Sequence, residues 1–168
     1  MKLSMHQAGA ERFAAMLRNL SAILDKAEAH AAARKIDPAA LTGFRLYPDM
    51  FPLTRQVQIA CDTAKGAVAR LAGVEIPKHE DTEQSFAELK SRIAKTLDFI
   101  AAVPAAKLEG ADEREVTIRS RGQDVKMSGL QYLLAVAQPN FYFHATTVYG
   151  ILRHNGVELG KRDFLGKY

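Results

Sequence analysis

Apolar residues recur at intervals of three and four over four long stretches of this chain, and this period constrains the fold more than any other feature. In the first stretch they include Phe13, Leu17, Leu20 and Leu24. That spacing places side chains on one face of an α-helix, which becomes stable when it is buried against other helices. The sequence therefore predicts an all-α chain whose helices pack together.

Capping residues and prolines set the limits of the first two helices. The first helix is expected to run from Ser4, a residue type favoured at N-caps, to about Ala33. The pair Asp37-Pro38 stops it, and a loop with one short helical turn is expected to follow. The second helix is expected from Pro52, since proline suits a helix start, to Gly73.

Similar signals limit the third and fourth helices. Asp81 or Thr82 is expected to cap the third helix, and Pro104 ends it. Ser128 is expected to cap the fourth helix, which runs to about His154. Four long helices of this kind are typical of a bundle.

A small β-hairpin is predicted between the third and fourth helices. The segments Glu115–Arg119 and Gln123–Met127 alternate apolar with polar residues on either side of a turn that contains Gly122. Residues 73–81 are numerous enough to cross the end of a bundle. The sequence thus predicts an antiparallel four-helix bundle with a hairpin insertion, in a single domain over residues 1–168.

The fourth helix is expected to bury one face and to bend or loosen at Pro139. Its residues recur with the helical period and are mostly aliphatic or aromatic. They are Leu130, Leu133, Leu134, Ala137, Phe141, Val148, Ile151 and Leu152.

His144 falls near the middle of that apolar face, so its side chain is expected to point inward. A buried imidazole needs a hydrogen-bond partner for each ring nitrogen, or a metal ion, and the simplest expectation is a bond to a neighbouring helix. Asn140, four residues earlier, could face the same cavity. The alternative is that Asn140 bonds a backbone group freed by Pro139.

The composition excludes several classes of protein. The sequence lacks the apolar run of a signal peptide and of a membrane span, which needs roughly 18 residues. Cys61 is its one cysteine, so an internal disulfide and a multi-thiolate metal site are excluded. The net charge is +4, but lysine and arginine are spread along the chain without an aromatic stacking set. A cytoplasmic protein that binds neither membranes nor nucleic acid is therefore expected.

The other histidines and the cysteine are weaker candidates for a site. His6 faces inward near a bundle end if the first helix includes it, whereas His30, His79 and His154 suit surface or capping positions. Cys61 lies on the apolar face of the second helix and is expected to behave as a small hydrophobic residue. The sequence contains no nucleophile elbow, phosphate loop, di-iron pattern or zinc motif.

Seven parts of the sequence match the pattern of a known family. They are Met5–Gln7, Leu46–Leu53, Gln56–Gln58, Pro139–His144, Tyr149, Ile151–Val157 and Gly160–Gly166. With these residues the chain resembles, over essentially its whole length, the bacterial domain of unknown function 1993 family. That family is similar to the wider DinB/YfiT-like group of four-helix bundles.

The resemblance implies a metalloenzyme fold but a degenerate metal site. Many DinB/YfiT-like proteins bind a divalent metal through three histidines, one on helix two and an His-x-x-x-His pair on helix four, and some act on thiols or thiol conjugates. His144 matches the second histidine of the pair. Asn140 occupies the first position, and Gln58 falls near the helix-two position. Because zinc and nickel favour imidazole, thiolate or carboxylate ligands, this set is expected to bind them poorly.

Three hypotheses follow for the function. The favoured one is a DinB-like homodimer for which no catalytic activity is predicted, and in which the metal site has become a polar pocket that binds a small molecule or has only a structural role. The alternative is a transferase or hydrolase that holds zinc or nickel through His144 and another histidine. A third is an interaction protein, which would have a large exposed apolar patch and no enclosed pocket. The pocket candidates are His144, Asn140, Gln58, Tyr149 and His6.

Overall fold

Helices make up most of the computed structural model, which describes residues 3–167. None of the helices in that range is long and apolar enough to cross a membrane. The two π-helical segments, His6–Glu11 and Tyr132–Ala137, directly precede α1 and α6. The α-helices are α1 (Arg12–Arg34), α2 (Pro38–Thr42), α3 (Leu53–Ala72), α4 (Phe86–Ala102), α5 (Gly129–Gln131), α6 (Gln138–His154) and α7 (Lys161–Leu165).

The limits predicted for the first two long helices are confirmed. Ser4 Oγ accepts a hydrogen bond from the backbone N–H of Gln7 at 3.1 Å, which caps the helical segment leading into α1. The Asp37 side chain caps the short helix α2. Helix α3 begins at Leu53, directly after Pro52, and ends at Gly73, whose φ of 65° is left-handed backbone that glycine adopts readily.

The third long helix begins later than predicted. Its N-cap is Ser85, whose hydroxyl accepts from the backbone N–H of Glu88 while the Glu88 carboxylate accepts from the backbone of Ser85. Neither Asp81 nor Thr82 caps α4, so that expectation is wrong. The Asp81 carboxylate binds arginine side chains instead.

The predicted hairpin is confirmed, with strands β1 (Glu115–Ser120) and β2 (Gln123–Ser128). The strands pair antiparallel, and Ser120 lies opposite Gln123 at the turn. The two turn residues, Arg121 and Gly122, have φ values of 50° and 80°. Positive φ at both positions gives the turn a twist that matches the strands.

The fourth helical stretch is continuous from α5 to α6, and Ser128 caps it as predicted. The π-helical segment that precedes Pro139 is the local loosening expected there, since wider hydrogen bonding accommodates the missing N–H of proline. The wider turn also rotates the side chains relative to an ideal α-helix. Leu133 is buried, but Leu130 and Leu134 are 45% and 52% exposed, so their predicted place on the buried face is wrong.

Helices α3 and α4 run in the same direction. Glu83, just before α4, bonds Gln58 near the start of α3. At the other end, the guanidinium of Arg114 donates to the carbonyl oxygens of Leu71, near the end of α3, and Lys107, just after α4. The segment 73–85 therefore runs the length of α3 to bring the chain back, and we call it the crossover.

Helices α1 and α6 are also parallel, since the Phe13 ring meets the Phe141 ring and Leu133 lies near Gly9. Helix α3 runs opposite to α6, since Gln56 meets His144 and the later Thr63 meets the earlier Asn140. It follows that α1 runs opposite to α4. The antiparallel arrangement predicted from the sequence is therefore wrong for the pairs α3–α4 and α1–α6. The physical reason is the crossover, which is long enough to return the chain to its starting end.

The side chain of Arg92, on α4, fastens the crossover. It is 1% exposed, and its Nη2 lies 2.9 Å from carboxylate oxygens of Asp62 and of Asp81. Its Nη1 donates at 3.0 Å to Glu83. Burial alone would raise the pKa of Glu83, but hydrogen bonds from Gln58, its own backbone and Arg92 hold that pKa below its usual value. The network therefore joins α3, the crossover and α4 through ionised groups.

Candidate functional site

His144 points into the molecule, as its place on the helix predicts. It is 7% exposed, and its Nδ1 lies 2.6 Å from Oε1 of Gln56 on α3. Gln56 is 1% exposed and donates from Nε2 to the carbonyl oxygen of Phe51 at 3.0 Å. The two side chains therefore form a buried polar pair between α6 and α3.

These contacts fix the tautomer of the imidazole. Because the amide nitrogen of Gln56 donates to Phe51, its oxygen must be the atom that faces His144. An amide oxygen only accepts, so Nδ1 of His144 carries the hydrogen and Nε2 keeps a lone pair. A histidine held in this way presents a basic nitrogen in a defined direction.

Nε2 of His144 reaches solvent. Among residues 3–167 it has no hydrogen-bond partner. The fully buried polar atoms without a partner in that range are Nδ1 of His79 and Nε of Arg92, so Nε2 of His144 is not fully buried. The Phe143 ring stands edge-on to the imidazole, with 5.2 Å between ring centroids. Burial, and to a smaller extent the charge of Arg55, lowers the pKa of His144, which favours the neutral ring.

We expect the lowered pKa of His144 to make the protein less stable as the pH falls below about 6.5, the ordinary pKa of histidine. In that range the unfolded chain binds a proton that the folded imidazole resists, so protonation favours unfolding. His79, whose pKa is also lowered by burial, adds to the effect. Urea unfolding at pH 7.5 and 5.5 measures it. The loss should be smaller in His144→Gln than in the native chain, and an equal loss in both would contradict the assignment.

Asn140 and Gln58 do not join His144. Asn140 is exposed, and its amide donates to Thr63 Oγ1 at 2.8 Å, so neither the shared cavity nor the bond to a freed backbone group is formed. Gln58 is buried, but its Nε2 donates to Glu83 at 2.9 Å, on the side of α3 that faces the crossover. The Asn140 amide therefore links α6 to α3, and the Gln58 amide links α3 to the crossover.

Tyr149 and His6 also lie elsewhere. The Tyr149 ring packs against Phe164 of α7, with 5.9 Å between centroids. His6 Nδ1 lies 3.2 Å from the Glu11 carboxylate, in a groove of about 630 Å³ beside Leu108. The pocket that would unite these residues with His144 is therefore not formed in residues 3–167.

Cys61 is fully buried in α3. Burial raises the pKa of its thiol to about 12. The thiol therefore stays protonated at neutral pH and suits the packing role predicted for it.

The sequence of this chain matches the model of a known protein family. The family model described as domain of unknown function (DUF1993) matches residues 5–165. The chain belongs to this DUF1993 family. A search of curated proteins found no match.

One solved structure is similar to the DUF1993 chain over almost its whole length. It is the crystal structure of a DinB family member protein from Shewanella denitrificans, with 46% sequence identity and a TM-score of 0.92. The similarity covers 98% of this chain and 93% of that one. The fold is therefore DinB-like.

The residues of the DUF1993 chain do not fit the three-histidine metal site that the resemblance implies. No group of three or more histidine, cysteine, aspartate or glutamate side chains in the described part of the chain could hold a metal ion. Of the expected ligand positions, only His144 offers an imidazole. Asn140 and Gln58 point their amides toward Thr63 and Glu83. A single imidazole with distant amides is a poor donor set for zinc or nickel.

Sequence reasoning missed Gln56 as the partner of His144 in this DUF1993 protein. It identified Gln58 as the helix-two position, although Gln56 is the residue that contacts the imidazole. The signal was present, because Gln56 lies three residues after Leu53 and four before Ala60, both fully buried. A glutamine on the apolar face of a helix needs a buried polar partner.

Proposed function

We propose that this protein binds a small molecule, without a metal ion, at an open site around Nε2 of His144. The observation that carries the proposal is the hydrogen bond between His144 and Gln56. It holds the ring in one tautomer, and the basic nitrogen Nε2 is left without a partner among residues 3–167. Such a nitrogen accepts a hydrogen bond from a ligand hydroxyl, amine or thiol.

The coordination chemistry supports a metal-free site over a metal-dependent transferase or hydrolase. A zinc enzyme of this type needs about three protein ligands around an open position. His144 would supply one ligand, and the side chain of Gln56 is already hydrogen-bonded to His144 and to the Phe51 carbonyl oxygen. The site therefore favours hydrogen bonding over metal coordination.

We expect elemental analysis of protein purified without an affinity tag to find no stoichiometric zinc, nickel or manganese. Adding these ions should move the melting temperature of the native chain and of His144→Ala equally, because the remaining donors are too few to hold a metal. Near one equivalent of metal, with a thermal shift that disappears in His144→Ala, would overturn the proposal.

A second candidate function is protein interaction, favoured by one specific observation. Aromatic and aliphatic side chains are exposed on the loop before α3 and on α6. They are Leu46 at 45%, Tyr47 at 65%, Phe51 at 53% and Phe143 at 58%. Exposed apolar side chains of this kind are typical of binding surfaces.

We also infer the organisation of the whole molecule. The four long helices α1, α3, α4 and α6 support a four-helix bundle in a single domain. The single reduced cysteine supports a cytoplasmic location. Similarity to the DinB-like group suggests a homodimer, which sedimentation of the purified chain would test.

A further inference from the structure

We propose that the site around His144 selects small aromatic acids that also carry a hydroxyl group, an inference that rests on the proposed function. Arg55 would bind the acid, Nε2 of His144 would accept the hydroxyl hydrogen, and exposed aromatic rings would contact the ligand ring. Hydroxybenzoates represent this class.

Arg55 supplies the positive charge. It precedes Gln56 on α3, and its guanidinium lies 6.0 Å from the centroid of the Phe51 ring. Phe51 is in turn the residue whose carbonyl oxygen holds Gln56, the partner of His144. The charge of Arg55 also acts on the imidazole, since after burial it is the second cause that lowers the pKa of His144.

Half of the Arg55 guanidinium remains able to bind an anion. Its Nη1 donates to the carboxylate of Asp81 and, at 3.2 Å, to Gln58. Its Nη2 has no partner within residues 3–167, and the side chain is 38% exposed. An arginine presents five N–H donors, so a carboxylate can bind the free nitrogen while Asp81 keeps the other.

Two aromatic rings lie beside these polar groups. Phe143 is 58% exposed and stands against the imidazole, and Phe51 is 53% exposed and stands against the guanidinium. An exposed phenylalanine ring beside each polar group favours an aromatic ligand, because aromatic pairs gain energy beyond the area they bury.

The test is a titration at pH 7.5 of isotopically labelled protein with phenol, benzoate and the three hydroxybenzoate isomers, followed by NMR signals of the His144 ring. We expect at least one hydroxybenzoate to bind with a Kd about tenfold lower than that of phenol, since a charge-assisted hydrogen bond is added. We expect benzoate, which has no hydroxyl, to bind more weakly than that isomer.

Two matched variants isolate the charge of Arg55. Arg55→Gln should raise the Kd of the best hydroxybenzoate about tenfold and leave that of phenol unchanged. Asp81→Asn loses the same ion pair, together with that between Asp81 and Arg92, but keeps the guanidinium of Arg55, so it should bind the acid as well as the native chain does. Equal weakening in both variants would show that the crossover, rather than the charge, matters, and would overturn the proposal.

The outcomes separate this inference from the proposed function. If phenol shifts the His144 signals and no acid binds more tightly, the site stands but its selectivity for acids is wrong. If none of the compounds shifts those signals, both the inference and the proposed ligand site fail.

Discussion

Replacing Arg92 with methionine is expected to lower the free energy of unfolding by about 3 kcal/mol, because the change leaves three carboxylates without their buried cation. Removing one partner of a buried ion pair typically costs about 3 to 5 kcal/mol. The lower end applies here, since the side chains of Asp62 and Asp81 are 39% and 41% exposed and water can partly compensate them. The melting temperature should fall by roughly 6 to 12 °C.

Lys90→Met is the matched control on the same helix. Lys90 Nζ lies 2.7 Å from both Asp25 and Glu28, but those carboxylates are 61% and 47% exposed. Ion pairs at the surface contribute about 0 to 1 kcal/mol, so this variant should stay near the native stability. Equal losses in Arg92→Met and Lys90→Met would contradict a special role for the buried network. Urea unfolding of both variants measures the difference.

Gly129→Ala is expected to destabilise the fold by about 3 kcal/mol or more, because an added methyl group has no space. A Cβ on Gly129 would lie 1.8 Å from the carbonyl oxygen of Ala111 and 2.9 Å from Cδ2 of Leu71. The backbone of Gly129 is also held, since its N–H donates to the Arg114 carbonyl at 2.8 Å. The start of the fourth helical stretch would therefore have to move away from Ala111 and from α3.

Gly150→Ala on α6 provides the control for that prediction. A Cβ there would meet its nearest neighbour, Cδ2 of Leu46, at 3.9 Å, which is an ordinary contact. Alanine favours a helix over glycine by about 0.5 to 1 kcal/mol, so this variant should melt slightly above the native chain. Thermal melts of the two variants compare them directly. A Gly129→Ala melt at the native temperature would show that no such clash exists.

Local signals in the sequence predicted the helices and the hairpin, but not how they are arranged. Ser4, Gly73 and Ser128 act as expected because a cap depends on a few neighbouring residues. The parallel course of α3 and α4 was missed, since it depends on contacts between Asp81 or Glu83 and Arg92. Asp81 resembled an early helix cap because a carboxylate suits both roles.

The sequence predicted the orientation of a side chain on its own helix, but not its contacts with residues on other helices. The helical period placed His144 inward correctly, since that requires only the position of its own helix. Its partner lies on another helix, so the rotation of α3 decided between Gln56 and Gln58. The amide of Asn140 was within reach of Thr63, a contact that sequence spacing does not reveal.

The crossover also has a consequence for the order in which the chain folds. Asp62 and Arg92 are 30 residues apart in the sequence, whereas the contact between Ala8 and Gln138 spans 130. Closing the shorter loop loses less chain entropy, so α3, the crossover and α4 can associate before the two ends of the chain meet. The network around Arg92 would then form in the folding transition state, and the packing of α1 against α6 would follow it.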